Sequence, residues 1–275
     1  MFGTLSVVMK SFFKKSIFFF ALAVVFSLFG ATSVHANHAW GNYHWARTSN
    51  PFTLKLGNNL TSNWVPYLIT ASGDWSLSTV LDTAIVPGGT NPRTCKPTSG
   101  RDEVCNSTYG KNGWLGIAQI WANGDHITQG VTKMNDTYFN TAAYNAPAWR
   151  QLVICQEIAH TFGLDHQDEV FTNPNLGTCM DYTNNPLGPL DNTHPNQHDY
   201  DELVTIYSHL DAVTTISQTK AQLMQSLAGS MPDNLGDNPS EWGKSIRDNG
   251  RVALFQRDFG AGQKVFTFVI WSGEK

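Results

Sequence analysis

The segment CQEIAHTFGLDHQDE, residues 155–169, restricts the fold more than any other part of this 275-residue chain. In an α-helix, side chains four positions apart share a face, so Gln156 and His160 are predicted to point in the same direction. Gly163 is then predicted to end the helix in a left-handed conformation, which lets His166 return toward the same point. Two imidazoles and one further ligand are a usual protein set for a catalytic metal ion. The segment therefore predicts a metal site built on a helix and the turn after it.

Pro147 is predicted to open this helix, because proline suits the first helical turn. Alternating or continuous apolar runs elsewhere predict strands, and spaced apolar residues predict the other helices. The expected fold class is α+β, with a twisted mixed sheet packed on long helices. The predicted strands are 43–47, 51–57, 83–89, 115–121, 126–135, 251–259 and 264–271, the predicted helices are 62–80, 147–162, 198–210 and 218–230, and 100–114 is predicted to be a loop.

Residues 1–36 have the composition of a secretory signal peptide. Three lysines precede the apolar stretch 16–30, and a small-residue motif predicts cleavage after Ala36. A membrane anchor is the alternative, but the apolar stretch is short for a span and polar sequence follows at once. We therefore predict a secreted, extracellular protein. Its parts would be a catalytic-type domain, 37–211, and a C-terminal extension, 212–275, in which no chemical motif is readable.

The net charge of the predicted mature chain restricts the classes of partner that it could bind. Removing the signal leaves 239 residues with 15 basic and 22 acidic side chains. This negative balance argues against nucleic acid or an anionic membrane as a partner. The mature chain is expected to act as a monomer that is not bound to a membrane.

Four cysteines predict two disulfides, because an even count is usual in secreted chains. Four cysteines allow three pairings, and the sequence spacing favours the two local ones, Cys95–Cys105 and Cys155–Cys179. The first pair would close a short polar loop. The second would join two segments that both lie close to the predicted metal site.

The residues QEIAHTFGLDH, 156–166, resemble the zinc-binding signature HExxHxxGxxH of the metzincin metallopeptidases. Gln156 stands where the signature has its first histidine. Met180, within TCMDYT, is similar to the methionine of the Met-turn in that clan. The spacing from Met180 to Tyr182 resembles that of the astacin and serralysin branches, whereas the sequence FGLDH is closer to that of the matrixins. The resemblance extends over about residues 40–210.

This resemblance implies a metzincin-like zincin fold with an active-site helix and a Met-turn. It implies that Gln156, His160 and His166 bind Zn²⁺, which activates a water molecule for hydrolysis of peptide bonds. Glu157 would be the general base, and Tyr182 would donate a hydrogen bond to the developing oxyanion. The implied activity is that of a secreted zinc-dependent endopeptidase.

The resemblance also implies how substrates would bind. Metzincins bind protein or peptide substrates in extended form along an edge strand, and the strand predicted at 115–121 would be that edge. An ordinary strand of the sheet is the alternative reading of the same residues. The Cys155–Cys179 disulfide would tie the signature helix to the Met-turn and stiffen the metal site.

Gln156 leaves alternatives open. Its neutral amide oxygen is a poorer zinc ligand than imidazole, so we expect zinc binding about 10- to 100-fold weaker than with histidine. Asp168 could complete the site in its place, although a hydrogen bond that orients its loop is the simpler role. The main alternative function is a catalytically inactive metzincin-fold protein that binds or inhibits a partner. Iron chemistry on His160, His166 and Asp168 is a weaker third hypothesis.

Overall fold

Nine strands form one mixed sheet in the computed structural model, which describes residues 37–226 and 232–273. The fold is α+β, as predicted, with a large sheet and few helices. The predicted signal peptide lies outside the described residues. The strands are β1 (His44–Trp45), β2 (Phe52–Asn59), β3 (Leu81–Pro87), β4 (Asp102–Ser107), β5 (Trp114–Asn123), β6 (His126–Asn135), β7 (Lys244–Asp248), β8 (Val252–Gly260) and β9 (Gln263–Trp271). The helices are α1 (Val65–Trp75), α2 (Asp136–Phe139), α3 (Pro147–His160), α4 (Gln197–Ile206) and α5 (Lys220–Ser226), and a 3₁₀ turn spans Pro239–Glu241.

The strand order β3-β2-β4-β6-β5-β9-β8-β7 divides the sheet into two kinds of pairing. The pairs from β3 to β6 are parallel, and every pair from β6 to β7 is antiparallel. Strand β1 pairs in parallel with the start of β6. The last three strands come from the predicted C-terminal extension, and β8 and β9, which form an antiparallel hairpin, confirm the strands predicted at 251–259 and 264–271. These strands thus continue the same sheet that carries β5 and β6.

The loop predicted at 100–114 is wrong, because β4 runs through its middle as an interior strand of the sheet. The polar residues of β4 resemble those of a loop, since buried strands usually consist of consecutive apolar residues. Asp102 and Glu103 are fully buried, yet each carboxylate has partners within the fold. Thr132 donates a hydrogen bond to Asp102 at 3.0 Å, and Asn59 donates one to Glu103 at 2.6 Å. Hydrogen bonds from neighbouring side chains therefore stabilise an interior strand whose polar composition resembles that of a loop.

Because Asp102 is buried, the free energy of unfolding is expected to fall as the pH rises. Burial raises the pKa of this carboxyl to about 8 from its ordinary 3.8. Between those two values the folded chain binds a proton that the unfolded chain has released, so each pH unit lowers the free energy of unfolding by about 1 kcal/mol. Asp102→Asn is expected to remove this dependence and to be more stable than the wild type above pH 8. Urea unfolding at several pH values measures both effects, and parallel pH profiles for the two proteins would refute this assignment.

Helix α3 lies in the core between the sheet and α1. Pro147 occupies its first turn, as predicted, and its residues 151–160 are all buried. The indole of Trp75, at the end of α1, donates to the Cys155 carbonyl at 3.2 Å. The disulfides Cys95–Cys105 and Cys155–Cys179 are both present, which confirms the predicted pairing. The second disulfide fixes α3 against the long connection between α3 and α4.

The segment between α5 and β7 is anchored to the sheet by an ion pair whose lysine is buried. The ammonium of Lys133, in β6, lies 2.9 Å from the Asp237 carboxylate, and only 1% of the lysine side chain is exposed. A buried charge without its partner is costly, so this pair holds the segment before β7 in place. Among the described residues, no helix has the length and apolar character needed to cross a bilayer.

Candidate metal centre

Helix α3 and the turn after it carry four of the five side chains that the sequence predicts for the site. Gln156, Glu157 and His160 lie in the last turns of α3 and are fully buried, and His166 is buried after the turn. Gly163 has a φ of 103°, and a Cβ atom there would lie 2.5 Å from a backbone carbonyl oxygen. The predicted helix end is therefore confirmed, because other residues would be strained in this conformation and would clash.

The amide group of Gln156 has a fixed orientation. Its Nε2 donates a hydrogen bond to the Cys179 carbonyl at 2.8 Å. Cys179 is held in turn by its disulfide to Cys155, the residue before Gln156 in α3. Because the nitrogen is committed to the carbonyl, the amide oxygen is the atom left to act as a ligand.

The two histidines are held in the same way through their Nδ1 atoms. His160 Nδ1 lies 2.8 Å from the Leu164 carbonyl, and His166 Nδ1 lies 3.0 Å from a Glu169 carboxylate oxygen. Carbonyl and carboxylate oxygens only accept, so each Nδ1 must carry the hydrogen, and in the neutral imidazole the lone pair is on Nε2. This arrangement is common in histidine ligands, whose second nitrogen donates to a carbonyl or carboxylate.

Five buried polar atoms of these four side chains have no hydrogen-bond partner among the described residues. They are Gln156 Oε1, His160 Nε2, His166 Nε2 and both carboxylate oxygens of Glu157. The two imidazole rings are perpendicular, with their centres 4.7 Å apart. Leaving one buried polar atom unpaired costs about 1–3 kcal/mol, so five in one region need an explanation. Two imidazole lone pairs, an amide oxygen and a carboxylate fit a divalent cation with an activated water.

Burial shifts the pKa values of Glu157 and His160. Desolvation raises the pKa of Glu157 well above its ordinary value, and the nearby Ala118 backbone amide offsets part of the rise. Desolvation lowers the pKa of His160 well below its ordinary value, and the positive form of His166 adds to this effect. A neutral imidazole at His160 is the form that can bind a metal.

Asp168 is engaged within its own loop. Its Oδ1 accepts from the Val170 backbone amide at 2.8 Å, and its Oδ2 accepts from the Asn173 side chain. The Asp168 carbonyl also accepts from the Tyr182 backbone amide at 3.0 Å. These contacts match the loop-orienting alternative for Asp168.

Met180 and Tyr182 are both buried in the segment that faces the end of α3. The Met180 carbonyl accepts from the Gln167 backbone amide at 2.7 Å, which ties this segment to the residue after His166. The Tyr182 hydroxyl donates to the Trp271 carbonyl of β9 at 3.4 Å. In this structure, the group predicted to meet an oxyanion is therefore turned toward the C-terminal strand.

Strand β5 is not an edge, which corrects the expectation for residues 115–121. Strand β9 pairs with it in antiparallel fashion from Trp114 to Asn123. Phe268 of β9 lies opposite Ala118, and its ring stacks on His160 with centres 4.0 Å apart and planes 13° apart. A long-range strand pairing of this kind has no local signal in the sequence, and it covers the face of the predicted site.

Strand β7 adds a second contact between the C-terminal strands and the site. The guanidinium of Arg247 binds both carboxylate oxygens of Asp165, at 2.6 and 2.9 Å, and lies 2.8 Å from Glu169. Glu169 is the group that orients His166. Arg247 and Phe268 were not predicted from the sequence, because an isolated arginine or phenylalanine in a strand carries no sign of a distant partner.

No family model matches the chain, and no curated protein matches it. Among solved structures, the fold is similar to high choriolytic enzyme 1, a hatching-enzyme zinc protease from the medaka Oryzias latipes. That similarity has a TM-score of 0.35 and 13% sequence identity, and it covers 62% of this chain and 96% of the other.

Proposed function

We propose that this protein is a secreted zinc-dependent peptidase whose own C-terminal strands cover its active site. One observation carries the zinc assignment. Gln156, His160 and His166 are each held by a hydrogen bond at one atom, while the opposite ligand atom is buried and has no hydrogen-bond partner in the described parts of the chain. A bound zinc ion would give all three atoms a partner, and it would lower the pKa of a coordinated water to about 7.

Glu157 is proposed as the general base. Its carboxylate is fully buried, and among the described residues neither oxygen has a hydrogen-bond partner of ordinary geometry, although the Ala118 backbone amide lies near it. It would accept a proton from the attacking water and pass it to the leaving amine. The Tyr182 hydroxyl is proposed to donate to the developing oxyanion once it is released from the Trp271 carbonyl.

The substrate is proposed to be a protein or peptide segment in extended form, bound to β5. Strand β9 supports this, because it already lies antiparallel along β5 with Phe268 stacked on His160. Strand addition supplies main-chain hydrogen bonds to any sequence, so a substrate and β9 would compete for the same edge. The covered form is therefore proposed to be latent, and hydrolysis to require displacement of β9.

Secretion fits the two disulfides, which are typical of oxidising compartments outside the cytosol. The predicted signal peptide, residues 1–36, supports the same location. The mature chain would meet protein substrates there.

The identity of residue 156 gives the first test. Gln156→His is expected to bind zinc about 10- to 100-fold more tightly than the wild type, because imidazole is a better donor than an amide. Gln156→Ala is expected to bind more weakly than the wild type, because it removes the third ligand. Competition with a chromophoric zinc chelator measures both affinities. Equal affinities for all three proteins would show that residue 156 does not bind the metal.

An inactive binding or inhibitory protein remains the second candidate, and the complete burial of the site favours it. It predicts no bound zinc in the purified wild type. It also predicts no cleavage of any peptide when β9 is loosened. Zinc analysis together with the hydrolysis assays in the Discussion separates the two candidates.

A further inference from the structure

A second group of metal-ligand side chains lies where β1, β6 and the segment after α4 meet. His44 belongs to β1, His126 begins β6, and His209 and Asp211 follow α4. The nearest ligand atoms of His44, His126 and Asp211 all lie within 4.8 Å of one another. None of these four residues belongs to the helix α3 site, and no sequence motif joins them.

We propose that His44, His126, His209 and Asp211 form a second, structural zinc site. The three Nε2 atoms approach one carboxylate oxygen, Asp211 Oδ1, at 3.4, 3.3 and 3.7 Å respectively. The Nε2 atoms of His44 and His209 lie 3.2 Å apart. In a tetrahedral zinc site with bonds of about 2.0 Å, neighbouring ligand atoms are about 3.3 Å apart. The four separations, out of the six edges of a tetrahedron, are all close to this value, and His44, His126 and Asp211 are the three ligands whose atoms all lie within 4.8 Å of one another.

Hydrogen bonds to the atoms that face away from the proposed ion also orient two of the ligands. His44 Nδ1 lies 2.7 Å from the Asn42 carbonyl, so it carries the hydrogen, and in the neutral imidazole the lone pair is on Nε2. Asp211 Oδ2 accepts from the backbone amide and the guanidinium of Arg47, at 3.1 and 2.9 Å. Its Oδ1 is thereby left to face the histidines. Hydrogen bonds that fix the far atoms of metal ligands are typical of built metal sites.

The chemistry of the set favours zinc over calcium or magnesium. Imidazole nitrogens with a single carboxylate suit zinc, whereas calcium and magnesium require mostly oxygen ligands. Four protein ligands close the coordination sphere, as in structural rather than catalytic sites. The side chains of His126 and His209 are 35% and 52% exposed, so the ion can enter from solvent. Such an ion would tie the N-terminal strand and the end of α4 to the β5–β6 turn.

A network of histidine–aspartate ion pairs is the competing explanation, and metal content separates the two. The purified full-length protein is dialysed against micromolar Zn²⁺ and then against metal-free buffer, and zinc per chain is measured by elemental analysis. We expect two zinc ions in the wild type and one in His209→Ala and in His126→Ala. His194→Ala is the matched control, since His194 is 48% exposed and pairs with Asp74 outside the group. It is expected to keep two.

The result also separates this site from the proposed active site. His160→Ala should lose one zinc, and His160→Ala combined with His209→Ala should lose both. If His209→Ala and His126→Ala keep the wild-type zinc content, the second site does not exist, whatever His160→Ala does. If His160→Ala keeps the wild-type content while His209→Ala loses one ion, the peptidase proposal fails and the structural site stands. Both exposed-histidine variants leave the core intact, so misfolding does not obscure the outcome.

Discussion

Replacing Thr267 with proline is expected to raise peptide hydrolysis about 100-fold over a Thr267→Val control. Thr267 is fully buried in β9, opposite Gln119 of β5. Proline removes a main-chain donor and does not fit an interior strand, a cost on the order of 3 kcal/mol. A loss of this size in the free energy of strand pairing increases the population of the open site about 100-fold. Cleavage of casein or a fluorogenic peptide measures the effect.

The control variant makes this result specific. Valine has nearly the shape of threonine and keeps the backbone amide, and the Thr267 hydroxyl has no hydrogen-bond partner among the described residues. Circular dichroism checks that both variants are folded. Equal hydrolysis by the two folded variants would show that β9 does not limit access. If the proline variant does not fold, hydrogen exchange of the wild type answers the same question, because a displaceable β9 must exchange faster than α3.

Glu157→Gln, introduced together with Thr267→Pro, is expected to lower hydrolysis by about 10²- to 10⁴-fold, the usual contribution of a general base. The amide has nearly the same shape as the carboxylate but cannot accept the proton from water. Because Glu157 is not among the proposed zinc ligands, zinc content is expected to stay unchanged. The rate constant for peptide cleavage and the zinc content are measured on the same samples.

This pair of measurements separates catalysis from metal binding. A normal rate in the Glu157→Gln variant would exclude Glu157 as the base. A lost rate together with lost zinc would instead point to a collapsed site. Gln156→Ala offers a comparison of the opposite kind, since it is expected to weaken zinc binding while leaving the proposed base in place.

Much of the candidate site follows from short-range spacing. One helical turn between Gln156 and His160 and a glycine that ends the helix are local features, and local backbone geometry decides them. The two disulfides link residues close in sequence and were also predictable. Strand β4 was not, because its buried Asp102 and Glu103 resemble a polar loop until their partners on neighbouring strands are known.

By itself, the sequence determined the signature helix, the turn at Gly163 and the types of side chain that could hold a metal ion. Only the tertiary structure decided that β9 lies along β5 and that Phe268 covers His160. It alone brought His44, His126 and Asp211 together from three distant segments. The physical reason is that helix and turn preferences act between near neighbours. Strand pairing and side-chain convergence depend on where the whole chain folds, and no local pattern encodes them.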